Sequence, residues 1–247
     1  KFIVKSKSYV LMCVYHKINE FNTYNYCKYT IIIFGKDSEE NTYSLQINNF
    51  TPYYYLKVPD DFCKSSIDIF TKWLKGKLSK QFKNDLVKIT LHKKFKFRGF
   101  NDNKKFKFIR LVFTNFLAMK KSINLFQDKT WDDKEKKYIN IRVKKLNISG
   151  ITSSAFVFEL HDNMIDPLIR FIHHRDVKPV GWIRAEKCKE RVSNLTHCNY
   201  DYETNWTDIH PYDTDDTVKI KILSYDIECD SSHGDFPIAI KDYLKLA

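Results

Sequence analysis

The chain has 247 residues, 43% of them hydrophobic and 15% aromatic, with a formal charge of +12 and a pI near 9.2. That length and apolar content exclude wholesale disorder, and six Gly with six Pro exclude collagen-like or linker-like sequence. Only seven of the 42 basic residues are Arg, in a chain heavy in Lys, Asn, Ile, Phe and Tyr, so part of the charge reflects an AT-rich coding sequence.

The first 60 residues are strand-like, with β-branched and aromatic runs at residues 9–15, 26–34, 42–47 and 53–58 separated by polar stretches. From 65 to 82 the period changes: Ile67, Phe70, Trp73, Leu74 and Leu78 recur at three and four residues, with Lys72, Lys75, Lys77 and Lys80 opposite. This predicts an amphipathic helix with a basic outer face. Strands follow at 86–92 and 106–113 around a Lys/Phe alternation (Lys94, Phe95, Lys96, Phe97, then Lys105, Phe106, Lys107, Phe108). Such alternation fits aromatics inside and cations outside, and it also fits stacking platforms for single-stranded bases beside cations for the backbone. A helix is expected over 115–126, a charged surface loop over 127–137, and strands at 139–143 and 155–160. Asp162 is the expected N-cap of a helix through Arg175, with Met164, Leu168, Ile169 and Ile172 on one side and Pro167 early, where its missing N–H costs least. The order of strands and helices, without internal repeats, predicts an α+β domain. Residues 199–217 read as an acidic connector, and a new domain starts with a strand at 218–229.

Charge is unevenly placed. Residues 72–145 hold 23 Lys+Arg and 6 Asp+Glu, a net of +17, whereas 199–247 hold 4 basic and 11 acidic residues, a net of −7. A basic middle is an electrostatic footprint for polyanions, as a nucleic-acid-binding surface or as a merely solvated Lys-rich face. The six Cys (13, 27, 63, 188, 198, 229) form no CxxC pair, which argues against a disulfide framework. Cys188, His197 and Cys198 with His173 and His174 lack the spacing of a zinc tetrad. Four Asn-X-Ser/Thr sequons, at Asn49, Asn147, Asn194 and Asn205, would matter only in a secreted chain. No apolar run reaches a membrane span, and 9–15 lacks a cleavage site, so the expectation is a soluble intracellular protein without membrane partners. The start at Lys1 and the helix-like end at 238–247 suggest a piece of a longer polypeptide.

The strand at 218–229 carries chemistry. Its even row reads Val218, Ile220, Ile222, Ser224, Asp226, Glu228, apolar for three positions and then acidic; Leu223, Tyr225, Ile227 and Cys229 fill the other face. Two carboxylates about 6–7 Å apart at the end of a buried strand raise each other's pKa unless a cation sits between them. Hard divalent ions take such oxygen ligands, and two of them together serve phosphodiester hydrolysis.

The context of that pair, LSYDIEC at 223–229 followed by DSSHGDFP at 230–237, resembles the first exonuclease motif of family B DNA polymerases. FTPYYYLKVP at 50–59 and DPLIRFIHHRDVKPVGWI at 166–183 resemble, in order, the N-terminal domain of the polymerase delta type, and the SSHGDFP stretch resembles polymerases of large nucleocytoplasmic DNA viruses. The resemblance implies an α+β, mixed-sheet N-terminal domain over 1–210, followed from 211 to 247 by the first strand of a ribonuclease H-like 3′→5′ exonuclease domain. It implies Asp226 and Glu228 as catalytic metal ligands for two Mg2+ (or Mn2+) ions. For the full-length parent it implies DNA synthesis with proofreading and, as partners, primer-template, single-stranded template, dNTPs and a sliding clamp. The fragment alone would bind DNA but be inactive. A viral source would place the parent in the host cytoplasm, in a viral factory, or in the nucleus. The alternative is a non-catalytic single-stranded nucleic-acid-binding module; a stand-alone ribonuclease H-like nuclease would need more chain after Cys229.

Overall fold

A computed structural model of the chain describes residues 9–10, 28–96, 102–134, 136–192, 196–218 and 224. In chain order the elements are β1 (Tyr9–Val10), β2 (Ile31–Lys36), β3 (Thr42–Asn48), β4 (Tyr53–Lys57), α1 (Ser66–Lys77), β5 (Leu86–Phe95), β6 (Lys105–Phe113) and α2 (Phe116–Ile123). They continue with β7 (Gln127–Asp132), β8 (Lys137–Val143), β9 (Lys145–Leu146), β10 (Phe156–Val157), β11 (Leu160–His161) and α3 (Pro167–Arg175). The last are β12 (Trp182–Ala185), β13 (Lys189–Glu190), β14 (Tyr200–Asn205), a 3-10 turn at Trp206–Asp208 and β15 (Ile209–Pro211). Few helices on mixed sheets make this the expected α+β class.

The central unit is a four-stranded antiparallel sheet in the order β11-β4-β6-β5. The chain runs β4-α1-β5-β6-α2 and, after two short hairpins, β11, which is the split β-α-β arrangement. Both helices pack on one face, where Tyr54, Leu56, Ile109, Leu111 and Phe113 of the strands meet Phe70 and Leu74 of α1 and Met119 and Ile123 of α2. A bulge at Val87 shifts the β5 register between Leu86 and Lys88. It lets Leu86, Ile89 and Leu91 all reach this core despite their mixed parity.

Helix ends follow from local chemistry. Asn115 caps α2, its side-chain oxygen accepting from the N–H groups of Leu117 at 2.7 Å and Ala118 at 3.4 Å. Asn115→Ala is expected to cost about 1 kcal/mol, read as a lower urea midpoint with an unchanged slope. α3 begins at Pro167 under Asp166, which accepts from Leu168 N at 2.7 Å, and ends at Asp176 with φ 53°. Asp162 is therefore not the N-cap. It sits in a turn with φ 57°, and its carbonyl accepts from Arg170. The expected apolar side of this helix is corrected too: Phe171 is buried with Leu168 and Ile172 beside it, whereas Met164 is 88% and Ile169 47% exposed.

A second core lies where the sheet β13-β14-β3-β2 meets α3 and the sheet β1-β12-β15, with Ile33, Leu45, Ile47, Phe50, Phe171 and Ile209 at its centre. Here β14 runs parallel to β3 over six residue pairs, Tyr200 with Tyr43 through Asn205 with Asn48. Residues 199–211 are thus strands of the fold and not a connector. Asp201 is buried and accepts from Thr196 Oγ1 at 2.7 Å, and the Tyr202 ring stacks on that of Tyr43.

Two further expectations change. Residues 127–137 form most of the β7-β8 hairpin instead of a loop. Residues 155–160 divide between β10, paired with β9, and β11, paired with β4. Of the expected strand at 218–229 only Val218 and Ser224 are described, so Asp226 and Glu228 lie outside the described residues, as does 238–247. Among the described residues no helix is long and apolar enough to cross a membrane.

Candidate nucleic-acid interface

The side of the β11-β4-β6-β5 sheet away from α1 and α2 carries the densest chemistry among the described residues. Alternation along β4 sends Tyr53, Tyr55 and Lys57 to it, β6 sends Phe106, Phe108 and Arg110, and β5 sends Lys88, Thr90, His92 and Lys94. One cross-strand row reads His161, Tyr55, Arg110, Thr90. The Lys/Phe alternation is resolved by this geometry: Phe106 and Phe108 lie on the face away from α1 and α2, and it is Lys107 that turns toward those helices, where its Nζ donates to the Phe62 carbonyl at 2.7 Å. The expectation of aromatics inside and cations outside holds for the exposed Lys105 and the buried Phe108, and Lys107 departs from it by turning to the side of α1 and α2.

Cations cover the rings. Lys94 Nζ lies 4.2 Å from the Tyr55 ring centre and donates to its hydroxyl at 3.0 Å. Lys57, Lys96 and Lys104 surround Phe106 at 5.2, 5.0 and 5.5 Å. At the other end Arg110 and, from α3, Arg170 bracket the Tyr53 ring at 5.3 and 3.9 Å, and the Tyr53 hydroxyl meets His174 Nε2 at 2.8 Å. His92 and Phe108 are each edge-on to a neighbour, Tyr55 and His161 respectively.

The charges are unbalanced. Glu159 takes Lys57 at 2.8 Å and Lys96 at 2.6 Å. Burial pushes its carboxyl up, but the two lysine hydrogen bonds more than offset this and hold it below the usual range. Among the described residues neither Lys94 nor Arg110 is paired with a carboxylate, and Arg110 Nε is buried without a hydrogen-bond partner. Burial holds His92, His161 and His174 below the ordinary imidazole pKa, reinforced at His92 by Arg110 and Lys94 and at His174 by Arg170 and Arg110. All three are therefore mainly neutral at pH 7. Because the unfolded chain binds these protons more readily, stability present above an unfolded His pKa of about 6.5 is lost as pH falls toward the lower folded values. Urea midpoints should drop between about pH 7.5 and pH 5.5, and His161→Asn should flatten that drop.

Other sequence candidates are not brought together. Among the described residues no group of three or more His, Cys, Asp or Glu could hold a metal ion. Cys188 lines a small apolar cavity with Ile33, Leu45 and Tyr202, where burial pushes its thiol up to about 11. The basic face of α1 is solvent-facing, with Lys72, Lys75 and Lys77 exposed. Tyr55, His92, Arg110 and His161 were not singled out by sequence pattern; the available signal was the β-α-β-β-α-β order, which fixes which strands lie at the centre.

Residues 158–243 match the family described as DNA polymerase family B, exonuclease domain. The DNA polymerase of Phaeocystis pouchetii virus is 33% identical over 100% of this chain, and that of Acanthamoeba polyphaga mimivirus 27% over 93%. The DNA polymerase delta catalytic subunit of Schizosaccharomyces pombe is 25% identical over 84% of the chain. The chain spans 24%, 13% and 18% of these relatives, a quarter of their length or less. In fold, the family B DNA polymerase from the hyperthermophilic archaeon Pyrobaculum calidifontis superposes on 80% of the chain and 19% of its own, with a TM-score of 0.50 at 16% identity.

Proposed function

From the family B DNA polymerase exonuclease region that this chain carries, we propose that it is the N-terminal part of a replicative DNA polymerase with a metal-dependent 3′→5′ proofreading exonuclease. The observation that carries the reading is the match over 158–243, which contains both members of the carboxylate pair, Asp226 and Glu228. In this reading an N-terminal domain runs to about residue 210 and the exonuclease domain starts near 211. Asp226 and Glu228 hold the divalent ions, Mg2+ or Mn2+; their carboxylate oxygens are the donor type such ions prefer. When bound, the ions supply an activated water and a stabilised leaving oxygen at the phosphodiester. In this reading the two side chains orient that site, since residues two apart share a face wherever the chain is a strand.

The parent's partners in this reading are primer-template, single-stranded template, dNTPs and a sliding clamp. Its working place is intracellular: for a viral polymerase, a factory in the host cytoplasm, or the nucleus. The fragment by itself binds DNA without cleaving it. Reading the gene past codon 247 tests the proposal: an Asp on a second exonuclease segment and a Tyr-Gly-Asp-Thr-Asp-like motif further on are expected, and their absence would overturn it.

A second reading, a non-catalytic single-stranded nucleic-acid-binding module, is favoured by one observation, the net +17 of residues 72–145. It differs from the first in making Asp226 and Glu228 dispensable for any activity of the parent.

A further inference from the structure

We propose that the free edge of β5 is a strand-addition site for an extended segment of a protein partner in which acidic and apolar residues alternate. The site lies on the edge of the sheet and uses no residue of the exonuclease pair.

In an antiparallel pair, successive residues turn their N–H and C=O groups to opposite sides of the strand. Val58 N donates to the Lys107 carbonyl at 3.1 Å and Phe113 N to that of Pro52 at 2.9 Å, so the odd-numbered residues of β6 bond toward β4. Its even-numbered residues, 106 to 112, therefore bond toward β5, opposite Lys94, His92, Thr90 and Lys88. That leaves the N–H and C=O groups of Ile89, Leu91, Lys93 and Phe95 turned outward on a strand that ends the sheet. Among the described residues no backbone hydrogen bond reaches any of the four. They span about 20 Å of strand. β5 has 10 residues, where about 5–6 is usual, and its bulge at Val87 lies before this stretch. A long, regular, unpaired edge is a template for an added strand.

The side chains along the edge say what kind of strand fits. On the side of α1 and α2 lie Ile89 and Leu91, half-buried against the core, and beyond them Phe95, 56% exposed. On the other side lie Lys88, Thr90, His92 and Lys94. An added strand alternates in the same way. Its apolar residues extend the rim of the core on the first side, and its carboxylates answer Lys88 and Lys94 on the second. Among the described residues neither lysine is paired with a carboxylate.

The same charges select against other occupants. β5 holds three lysines and no acidic residue, so a second copy of it would set lysine beside lysine, which destabilises a strand pair. Nucleic acid would meet the lysines but offers no ladder to the outward N–H and C=O groups. An acidic extended peptide satisfies both.

The test adds a fluorescein-labelled, end-capped nonapeptide of alternating Glu and Val to the 247-residue chain, followed by anisotropy and by amide deuterium exchange. The peptide should bind and slow exchange over residues 86–95. The same peptide with Lys in place of Glu should bind roughly tenfold more weakly or worse. So should the Glu–Val peptide N-methylated along one edge, which keeps the charge and loses the ladder. Lys93→Pro removes one outward N–H at an exposed edge position, where proline is tolerated. It should weaken binding roughly tenfold, whereas Lys93→Gln, which keeps that N–H, should have a much smaller effect. Lys88→Glu together with Lys94→Glu should reverse the preference between the two peptides. If Lys93→Pro does not fold, the N-methylated peptide makes the same comparison on the unaltered chain. No binding of the acidic peptide, equal binding of the basic one, or binding that N-methylation leaves unchanged would each overturn the proposal. Protection of 86–95 that grows with protein concentration alongside a sedimenting dimer would assign the edge to a second copy and overturn it. Protection by oligothymidylate but not by the acidic peptide would assign the lysines to nucleic acid, with the same consequence.

Discussion

Asp226→Ala in the full-length parent should abolish metal-dependent 3′→5′ excision and leave chain extension largely intact. Removing an outer-shell partner of a metal site commonly costs 10–100-fold, so loss of a ligand itself should exceed about a hundredfold. The specificity of the effect follows from the proposed division of labour, in which excision and nucleotidyl transfer use separate sites. Excision is measured on a 5′-labelled primer with a mismatched 3′ end, without dNTPs, and extension on the same primer correctly paired. Glu228→Gln should behave alike, since it keeps shape and removes the charge that draws the ion. Loss of excision and extension together would assign Asp226 to folding and remove the basis for the exonuclease reading.

Phe70→Ala should be the most destabilising single truncation in the central unit. Phe70 is 0% exposed, and its ring contacts Phe62, Trp73, Phe126 and Phe158 at centroid distances of 6.3, 5.5, 6.4 and 6.2 Å. Those partners come from four separate stretches of chain, so the cavity left behind cannot collapse by moving one of them. The expected cost is about 3–5 kcal/mol, a large share of the 5–15 kcal/mol that holds a typical domain. Thermal unfolding should shift down by roughly 10 °C. Ile69→Ala, one residue earlier but 42% exposed, should cost a fraction of that. Equal costs at 69 and 70 would mean that this aromatic cluster does not hold the sheet to α1.

What sequence pattern could show was the identity of the elements whose two faces differ strongly. α1 was legible because Phe70 and Leu74 sit at helical spacing among lysines, and both are buried. The strands at 53–57 and 105–113 were legible from alternation, but alternation separates two faces without saying which one meets the core. On β6 that choice was made by α1 and α2, which cover Ile109 and Leu111 and leave Phe106 and Phe108 to the other side. The start of α3 was misplaced because Asp162 and Asp166 are both suitable caps; Asp166 directly precedes Pro167, the residue suited to a first helical turn, and that pairing was the better signal. The hairpin at β7 and β8 was hidden by its charged composition, and β14 by its acidity, since Asp201 is stabilised by a hydrogen bond that no local pattern encodes. The carboxylate pair stands out by its motif alone and lies outside the described residues, and the face around Tyr55 emerges only from the sheet order.

The parallel seam between β14 and β3 also sets a timetable for biosynthesis. β3 leaves the ribosome some 150 residues before its partner β14, an interval of roughly 8–30 s at ordinary elongation rates. Through that interval β3 is paired only with β2, and its other edge is an open template of unpaired N–H and C=O groups. The central β4-α1-β5-β6-α2 unit, whose contacts are nearer in sequence, can assemble meanwhile, so the nascent chain carries a folded aromatic core beside an unfinished sheet. Completion waits for residues 200–205, which join that sheet, and for 209–211, which pair with β12 and bring Ile209 into the second core.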